Sequence, residues 1–213
     1  MPRAIIYSLL VALSLIQSSA SAQTQTITLE KYREAETTTG NPESELYNED
    51  EFCNILRQAL ASDILGEADK MRAEYRLEIA AKNRPGTPAA DFKFESRDGK
   101  TESLHSLQTD KPILLLFYDP DCDHCMQTIA DLKKRGISGM ADVVAIYAEE
   151  DRERWEETAE ALPQDWTVGY ALDPIQDDET YVFLSSPTVY LLDSDKKVLL
   201  KDTNIATVEK KLR

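Results

Sequence analysis

The chain has 213 residues, enough for one full domain with an appendage. It carries 39 Asp+Glu against 24 Lys+Arg, a formal net charge of −15. That sign argues against nucleic acid and against an anionic membrane surface as partners, because both repel it.

In chain order, Arg3 precedes an apolar run from Ala4 to Ile16, and Ala20-Ser21-Ala22 fits an A-x-A cleavage pattern. The run falls short of the about 20 residues that a membrane span needs. Residues 1–22 therefore read as a signal peptide, with an uncleaved anchor as the other reading. A periplasmic or otherwise exported location is expected, with no membrane span in the mature chain. Residues 23–43 are polar and expected to be flexible or weakly helical. Ser44 to Asn83 reads as helix: Phe52, Leu56, Leu60, Ile64, Ala68, Met71, Tyr75 and Ile79 recur at steps of three or four. Gly66 weakens continuity, so either two helices or one bent helix is expected. Glu49-Asp50-Glu51 suits a helix N-terminus, where carboxylates meet the positive end of the dipole. Cys53 lies beside the stripe and reads as a small buried hydrophobe. Arg84-Pro85-Gly86-Thr87-Pro88 then breaks the helical pattern. The division expected is 1–22 signal peptide, 23–84 helical N-terminal region and 85–213 a second domain.

Beyond the break the period changes. Phe92 and Phe94 alternate with polar residues, and Arg97-Asp98-Gly99-Lys100 signals a hairpin turn. Ile113 to Tyr118 is a short continuous apolar run, the mark of a strand buried on both faces. A turn at Asp119-Pro120-Asp121 leads into a helix over Cys122 to Lys134. Val143 to Tyr147 is a second buried strand, Asp151 to Leu162 an amphipathic helix, and Thr167 to Leu172 extended. Pro187 to Leu192 and Val198 to Lys201 form strands around a turn at Ser194-Asp195-Lys196, and Ile205 to Leu212 closes the chain as helix. Buried strands alternating with helices and closed by a hairpin predict an α/β domain with a mixed sheet.

Cys122-Asp123-His124-Cys125 falls where a buried strand gives way to a helix. A helix start offers unpaired N–H groups and a positive dipole end, which favour a thiolate at Cys122. Cys125 lies about one turn on, placed to resolve a mixed disulfide. His124, when protonated, favours the thiolate. Asp119, Asp121 and Asp123 oppose it. A zinc half-site or a static disulfide is the alternative for this pair. A four-ligand zinc site lacks partners here, since only Cys53, His105 and His124 remain as soft donors. His105, between Leu104 and Leu107, reads as a hydrogen-bonded structural histidine. Trp155 and Trp166 read as core anchors.

Lys111-Pro112-Ile113 through Tyr118, the Cys122–Cys125 motif, Ser186-Pro187-Thr188 and the hairpin from Leu192 to Val198 together resemble a thioredoxin fold. Gly86 to Phe92 and Asp98 to Leu107 resemble the extra hairpin of the TlpA/ResA-like branch of exported oxidoreductases. The stretch from Asp165 through Lys201 resembles thioredoxin-like proteins of Bacteroidetes. The resemblance covers residues 85–213. It implies a mixed central sheet flanked by helices, a cis-proline at Pro187 facing the cysteines, and a Ser186 backbone that pairs with substrate peptide. It implies catalysis by Cys122 and Cys125, modulated by His124, Asp123, Tyr118 and Pro187, with no cofactor beyond the redox-active disulfide. Its clients would be exported protein thiols and disulfides, served by an electron-transfer partner. Three departures stand out. Tyr118-Asp119-Pro120-Asp121 stands where the family usually has aromatic and small residues before the motif. His124 replaces the proline usual before the second cysteine, and Leu116 replaces the buried acid of thioredoxin. A copper- or zinc-binding metallochaperone and a partner-binding module with an incidental cysteine pair are the alternatives.

Overall fold

The computed structural model describes residues 27–41, 44–176 and 180–213. The expected signal peptide lies outside the described residues. Three helices lead: α1 (Leu29–Thr37), α2 (Glu49–Leu60) and α3 (Glu67–Ala81). The first two starts are fixed by side-chain caps, whereas α3 begins after Gly66 without one. Thr28 caps α1 through its hydroxyl and Asn48 caps α2 through its amide oxygen, and all three acids of Glu49-Asp50-Glu51 fall in the first turn of α2. The three helices share a small core of Ile27, Tyr32, Phe52, Leu56, Ala59 and Ala73.

The single apolar stripe expected across this region is corrected by the structure. The chain leaves helix at Ala61 and re-enters at Glu67. That break resets the helical phase, so Met71 and Tyr75 face outward at 70% and 47% exposure, and α3 buries Ala73, Ile79 and Ala80 instead.

Among the described residues, the remainder is built on one seven-stranded sheet in the order β2-β1-β5-β4-β3-β6-β7. Its strands are β1 (Lys93–Ser96), β2 (Thr101–Ser103), β3 (Ile113–Tyr118), β4 (Asp142–Tyr147), β5 (Thr167–Ala171), β6 (Thr188–Leu192) and β7 (Val198–Leu200). β3, β4 and β5 run parallel, whereas β1, β2, β6 and β7 pair antiparallel, so the sheet is mixed. All six residues of β3 are buried, as their continuous apolarity required. Leu114, Leu116 and Tyr118 face one core, while Ile113, Leu115 and Phe117 face the other. A slip of one residue would exchange these sets between the cores, so burial on both sides pins the register.

The first core receives α4 (Asp123–Arg135) through Cys125, Ile129 and Leu132, α5 (Arg152–Thr158) through Trp155, and α6 (Ile205–Leu212) through Ile205 and Val208. Trp155 and Trp166 are both buried there, as expected. The second core is aromatic. Phe117 packs against Phe92, Tyr181 and Phe183 with ring centroids 4.8–5.8 Å apart. Gly169 in β5 lies against the Phe94 ring where a Cβ would collide. Gly136, at φ 64°, ends α4 in the left-handed conformation that favours glycine.

The N-terminal helices meet the sheet through Lys201. Its ammonium lies 3.0 Å from Glu49 and donates to the carbonyls of Ile79 and Lys82, with its side chain only 4% exposed. Asn83 adds a second tie, donating to the Thr180 carbonyl and accepting from the Ala90 N–H.

Candidate active site

Cys122 is the N-cap of α4. Its sulfur accepts a hydrogen bond from the Cys125 N–H at 3.3 Å, the position an Asp or Ser oxygen takes in most helices. The strand–turn–helix sequence delivers it there. β3 ends at Tyr118, and the Cys122 N–H donates to the Asp119 carbonyl at 3.2 Å, closing the turn. Cys122 is half-buried and Cys125 buried, and both are free thiols.

The segment before β6 faces them. The Ser186–Pro187 peptide is cis, in agreement with what the resemblance implied. The Ser186 carbonyl lies 3.9 Å from the Cys122 sulfur, and His124 Nδ1 approaches the same oxygen at 3.2 Å. The Ser186 hydroxyl lies 3.2 Å from the Cys125 sulfur. Ser186 is exposed and Pro187 buried. Cys122, His124, Cys125, Ser186 and Pro187 are thus brought together. Asp123 is exposed in the first turn of α4. Tyr118 is buried with a hydroxyl that has no hydrogen-bond partner among the described residues, and its ring packs 6.2 Å from that of Tyr147.

The two thiols differ in acidity. Burial is the largest influence on Cys122 and opposes ionisation. Hydrogen bonds from the Cys125 side chain and N–H, the Ser186 hydroxyl and the His124 N–H outweigh it, so its pKa lies below the ordinary thiol value. Burial pushes the Cys125 thiol up to about 11. The thiolate at Cys122 therefore rests on hydrogen bonds at the helix start. The expected opposition from three aspartates is reduced, because Asp121 forms a two-pronged ion pair with Arg154. That guanidinium holds the Asp121 carboxyl below its usual range.

Sequence reasoning missed Arg154 and the Ser186 hydroxyl contact. Arg154 is 33 residues from Asp121 and carries no local signal. Ser186 was named for its backbone alone. His105 stands apart as a structural residue, its Nε2 2.8 Å from the Ala89 carbonyl. Among the described residues no three His, Cys, Asp or Glu side chains gather to hold a metal ion. Cys53 is buried in α2, and burial raises its thiol pKa.

Among solved structures, a thioredoxin-like protein from Bacteroides caccae superposes with a TM-score of 0.78 at 33% identity, over 85% of this chain and 68% of that one. The chain belongs to the thioredoxin-like family. The C-terminal domain of a protein from Bacteroides fragilis matches this thioredoxin-like chain at 31% identity and TM-score 0.58, over 61% of this chain and 97% of that domain. The thioredoxin domain of a thiol–disulfide oxidoreductase from Bacteroides vulgatus shares the fold at 20% identity and TM-score 0.51, over 61% of this chain and 98% of that domain. These neighbours accord with the TlpA/ResA-like resemblance. No family model matches the chain, and no curated protein is significantly similar to it.

Proposed function

We propose that this thioredoxin-like protein is an exported thiol–disulfide oxidoreductase that exchanges disulfides with protein clients through Cys122 and Cys125. The observation that carries the reading is the asymmetry of the pair. Cys122 is partly accessible, caps a helix and has a lowered pKa, whereas Cys125 is buried with a raised one. A nucleophile must be reached and ionised, and a resolving thiol must stay protonated until a mixed disulfide forms.

In the reducing direction the Cys122 thiolate attacks one sulfur of a client disulfide. The client S–S bond breaks, and the departing thiolate takes up a proton. Cys125 then loses its proton and attacks the Cys122 sulfur, which releases the second client thiol and leaves the Cys122–Cys125 disulfide. Two electrons and two protons pass to the client. The oxidising direction is the reverse. No group beyond the cysteine pair is required, and a separate electron-transfer partner resets it. Ser186 and Pro187 form the client-facing wall, and Asp123, His124 and Tyr118 shape the turn and helix start that present Cys122. Export is supported by the signal-peptide pattern of residues 1–22. No helix among the described residues is long and apolar enough to cross a membrane.

The metallochaperone alternative finds no support from geometry, since His105 is committed to Ala89 and the His124 ring turns to Ser186. The test is the reduction potential of the pair, measured against glutathione buffers with mass spectrometry of trapped thiols. A value near −270 mV, about that of thioredoxin, assigns a reductase, and one near −120 mV, about that of the strongest oxidants of this chemistry, assigns an oxidase. A Cys122→Ser protein that exchanges disulfides at the wild-type rate would overturn the reading.

A further inference from the structure

Cys125 has to ionise in surroundings that oppose it. Its thiol is fully buried and pushed up to about 11, so at pH 7 roughly one molecule in ten thousand carries the thiolate that resolution needs. The first core sets Leu116, Ile129 and Leu132 around it, side chains that neither give nor take a proton. The Tyr118 hydroxyl has no hydrogen-bond partner among the described residues, and the His124 ring turns its Nδ1 to the Ser186 carbonyl. The polar groups that act on the thiol are the Ser186 hydroxyl, the Asp119 N–H and Cys122 itself.

The Ser186 hydroxyl reaches both sulfurs. It lies 3.2 Å from that of Cys125, and its hydrogen bond to Cys122 helps to lower that thiol. Ser186 is also exposed, so its oxygen joins the buried thiol to solvent. A hydroxyl has one hydrogen to donate and two lone pairs that accept. It serves one sulfur as donor at a time and accepts from the other. In the reduced pair the anion is Cys122, so the Cys125 S–H donates to the Ser186 oxygen and the Ser186 O–H donates to the Cys122 sulfur. A mixed disulfide removes that anion. The Cys122 sulfur is then bonded to the client sulfur and holds the hydroxyl weakly, because the charge that strengthened the bond is gone.

We infer that Ser186 is a catalytic residue whose hydroxyl passes from Cys122 to Cys125 when the mixed disulfide forms and carries the proton away from the resolving thiol. The inference rests on the oxidoreductase reading and adds a residue to its second step. The Cys125 proton moves to the Ser186 oxygen as the hydroxyl's own proton leaves to solvent water. The hydroxyl that results points its hydrogen at the new thiolate and stabilises it. The Cys125 sulfur attacks the Cys122 sulfur, and the bond to the client breaks with its electron pair on the client sulfur. The client thiolate then takes a proton from solvent. The net change is one proton moved from Cys125 to the client, with the client disulfide as the oxidant. In the reverse direction the same O–H stabilises Cys125 as the leaving group.

The test follows the mixed disulfide itself. Reduced full-length wild type, Ser186→Ala and Ser186→Thr are each mixed with a large excess of a symmetric peptide disulfide and quenched in acid over time. Mass spectrometry counts the reduced, mixed and intramolecular forms. Formation depends on peptide concentration and decay does not, so the two steps separate. At pH 7 Ser186→Ala should accumulate the mixed disulfide and slow its decay about tenfold or more, since no water replaces the lost donor at a buried sulfur. Formation should slow less, through the loss of Cys122 thiolate alone. At pH of about 9.5 formation should return close to the wild-type rate while decay stays slow, because Cys125 is still protonated there. A loosened fold would not divide the two steps by pH. Ser186→Thr, which keeps the hydroxyl, should restore both. Decay in Ser186→Ala within about twofold of wild type at both pH values, or decay in Ser186→Thr as slow as in Ser186→Ala, overturns the inference. Cys125→Ser, which cannot resolve, separates the two ideas. If it traps the peptide on Cys122 while Ser186→Ala decays at the wild-type rate, only the inference fails. If it traps none, the oxidoreductase reading fails and takes the inference with it.

Discussion

The hydroxyl of Ser186 lies 3.2 Å from the sulfur of Cys125, and the carbonyl of the same residue lies 3.9 Å from the sulfur of Cys122. One residue therefore touches both members of the pair. This matters because Leu116 of β3, which the resemblance sets where thioredoxin has a buried acid, is an apolar and fully buried side chain. The polar partner of the buried thiol comes instead from the segment before β6.

Ser186→Ala is expected to raise the pKa of Cys122, because the Ser186 hydroxyl helps to lower it. Loss of one hydrogen bond of about 0.5–1.5 kcal/mol corresponds to a roughly two- to tenfold loss of thiolate at pH 7. The pH profile of Cys122 alkylation reads this directly, and Ser186→Thr should restore the profile. An unchanged profile in Ser186→Ala would show that the hydroxyl is a bystander.

The unequal acidities set an order of labelling. At pH 7 iodoacetamide should modify Cys122 first. Cys125, pushed up to about 11, should stay unmodified until strongly alkaline pH or unfolding. Peptide mapping of a labelling time course would expose the reverse order.

Cys125→Ser should trap a mixed disulfide between Cys122 and a client, because the resolving sulfur is gone. Cys122→Ser should trap none, since its remaining motif cysteine is buried. Non-reducing gels of each variant with a peptide disulfide distinguish these outcomes.

Glu49→Gln should destabilise the fold by about 3 kcal/mol, since it leaves the Lys201 ammonium buried without its counter-ion. Adding Lys201→Met should recover most of that loss, because the charge leaves with the side chain. Urea midpoints of the two single variants and the double variant measure the coupling. Additive losses would mean that Glu49 and Lys201 do not act as a pair.

Asp202 ties stability to pH. Burial raises its carboxyl pKa to about 7. Lys201 and Arg76 pull the other way, and Glu49 adds to the rise. The folded chain then holds a proton that the unfolded chain, with an ordinary carboxyl near 4, has released. The stability this group contributes is therefore lost as pH rises from about 4 to about 7. Asp202→Asn should remove the penalty, gaining on the order of a few kcal/mol at neutral pH and nothing near pH 3. Thermal melts of both proteins across that range check the sign.

Much of this molecule is legible in local sequence. β3 falls at the residues its continuous apolarity marks, and α6 has the bounds expected of it. The cysteine motif opens α4 as anticipated, since an apolar strand followed by a turn and a helix is a short-range pattern. The helical stripe before residue 85 misled at Met71 and Tyr75 because periodicity was carried through Gly66 and the turn before it. A turn of a few residues re-phases a helix without leaving a trace in the spacing.

By itself, then, the sequence determined the elements beyond residue 85, the buried strands and the position of the reactive pair. All of these follow from apolar spacing and from groups within one helical turn. Tertiary structure alone decided what surrounds the pair. Ser186 reaches Cys125 across 61 residues, Arg154 neutralises Asp121 across 33, and Lys201 binds the Ile79 carbonyl across 122. Such contacts depend on strand order and on the docking of the N-terminal helices against the loop after β7. Those are set by the summed burial of two cores, which no single segment encodes.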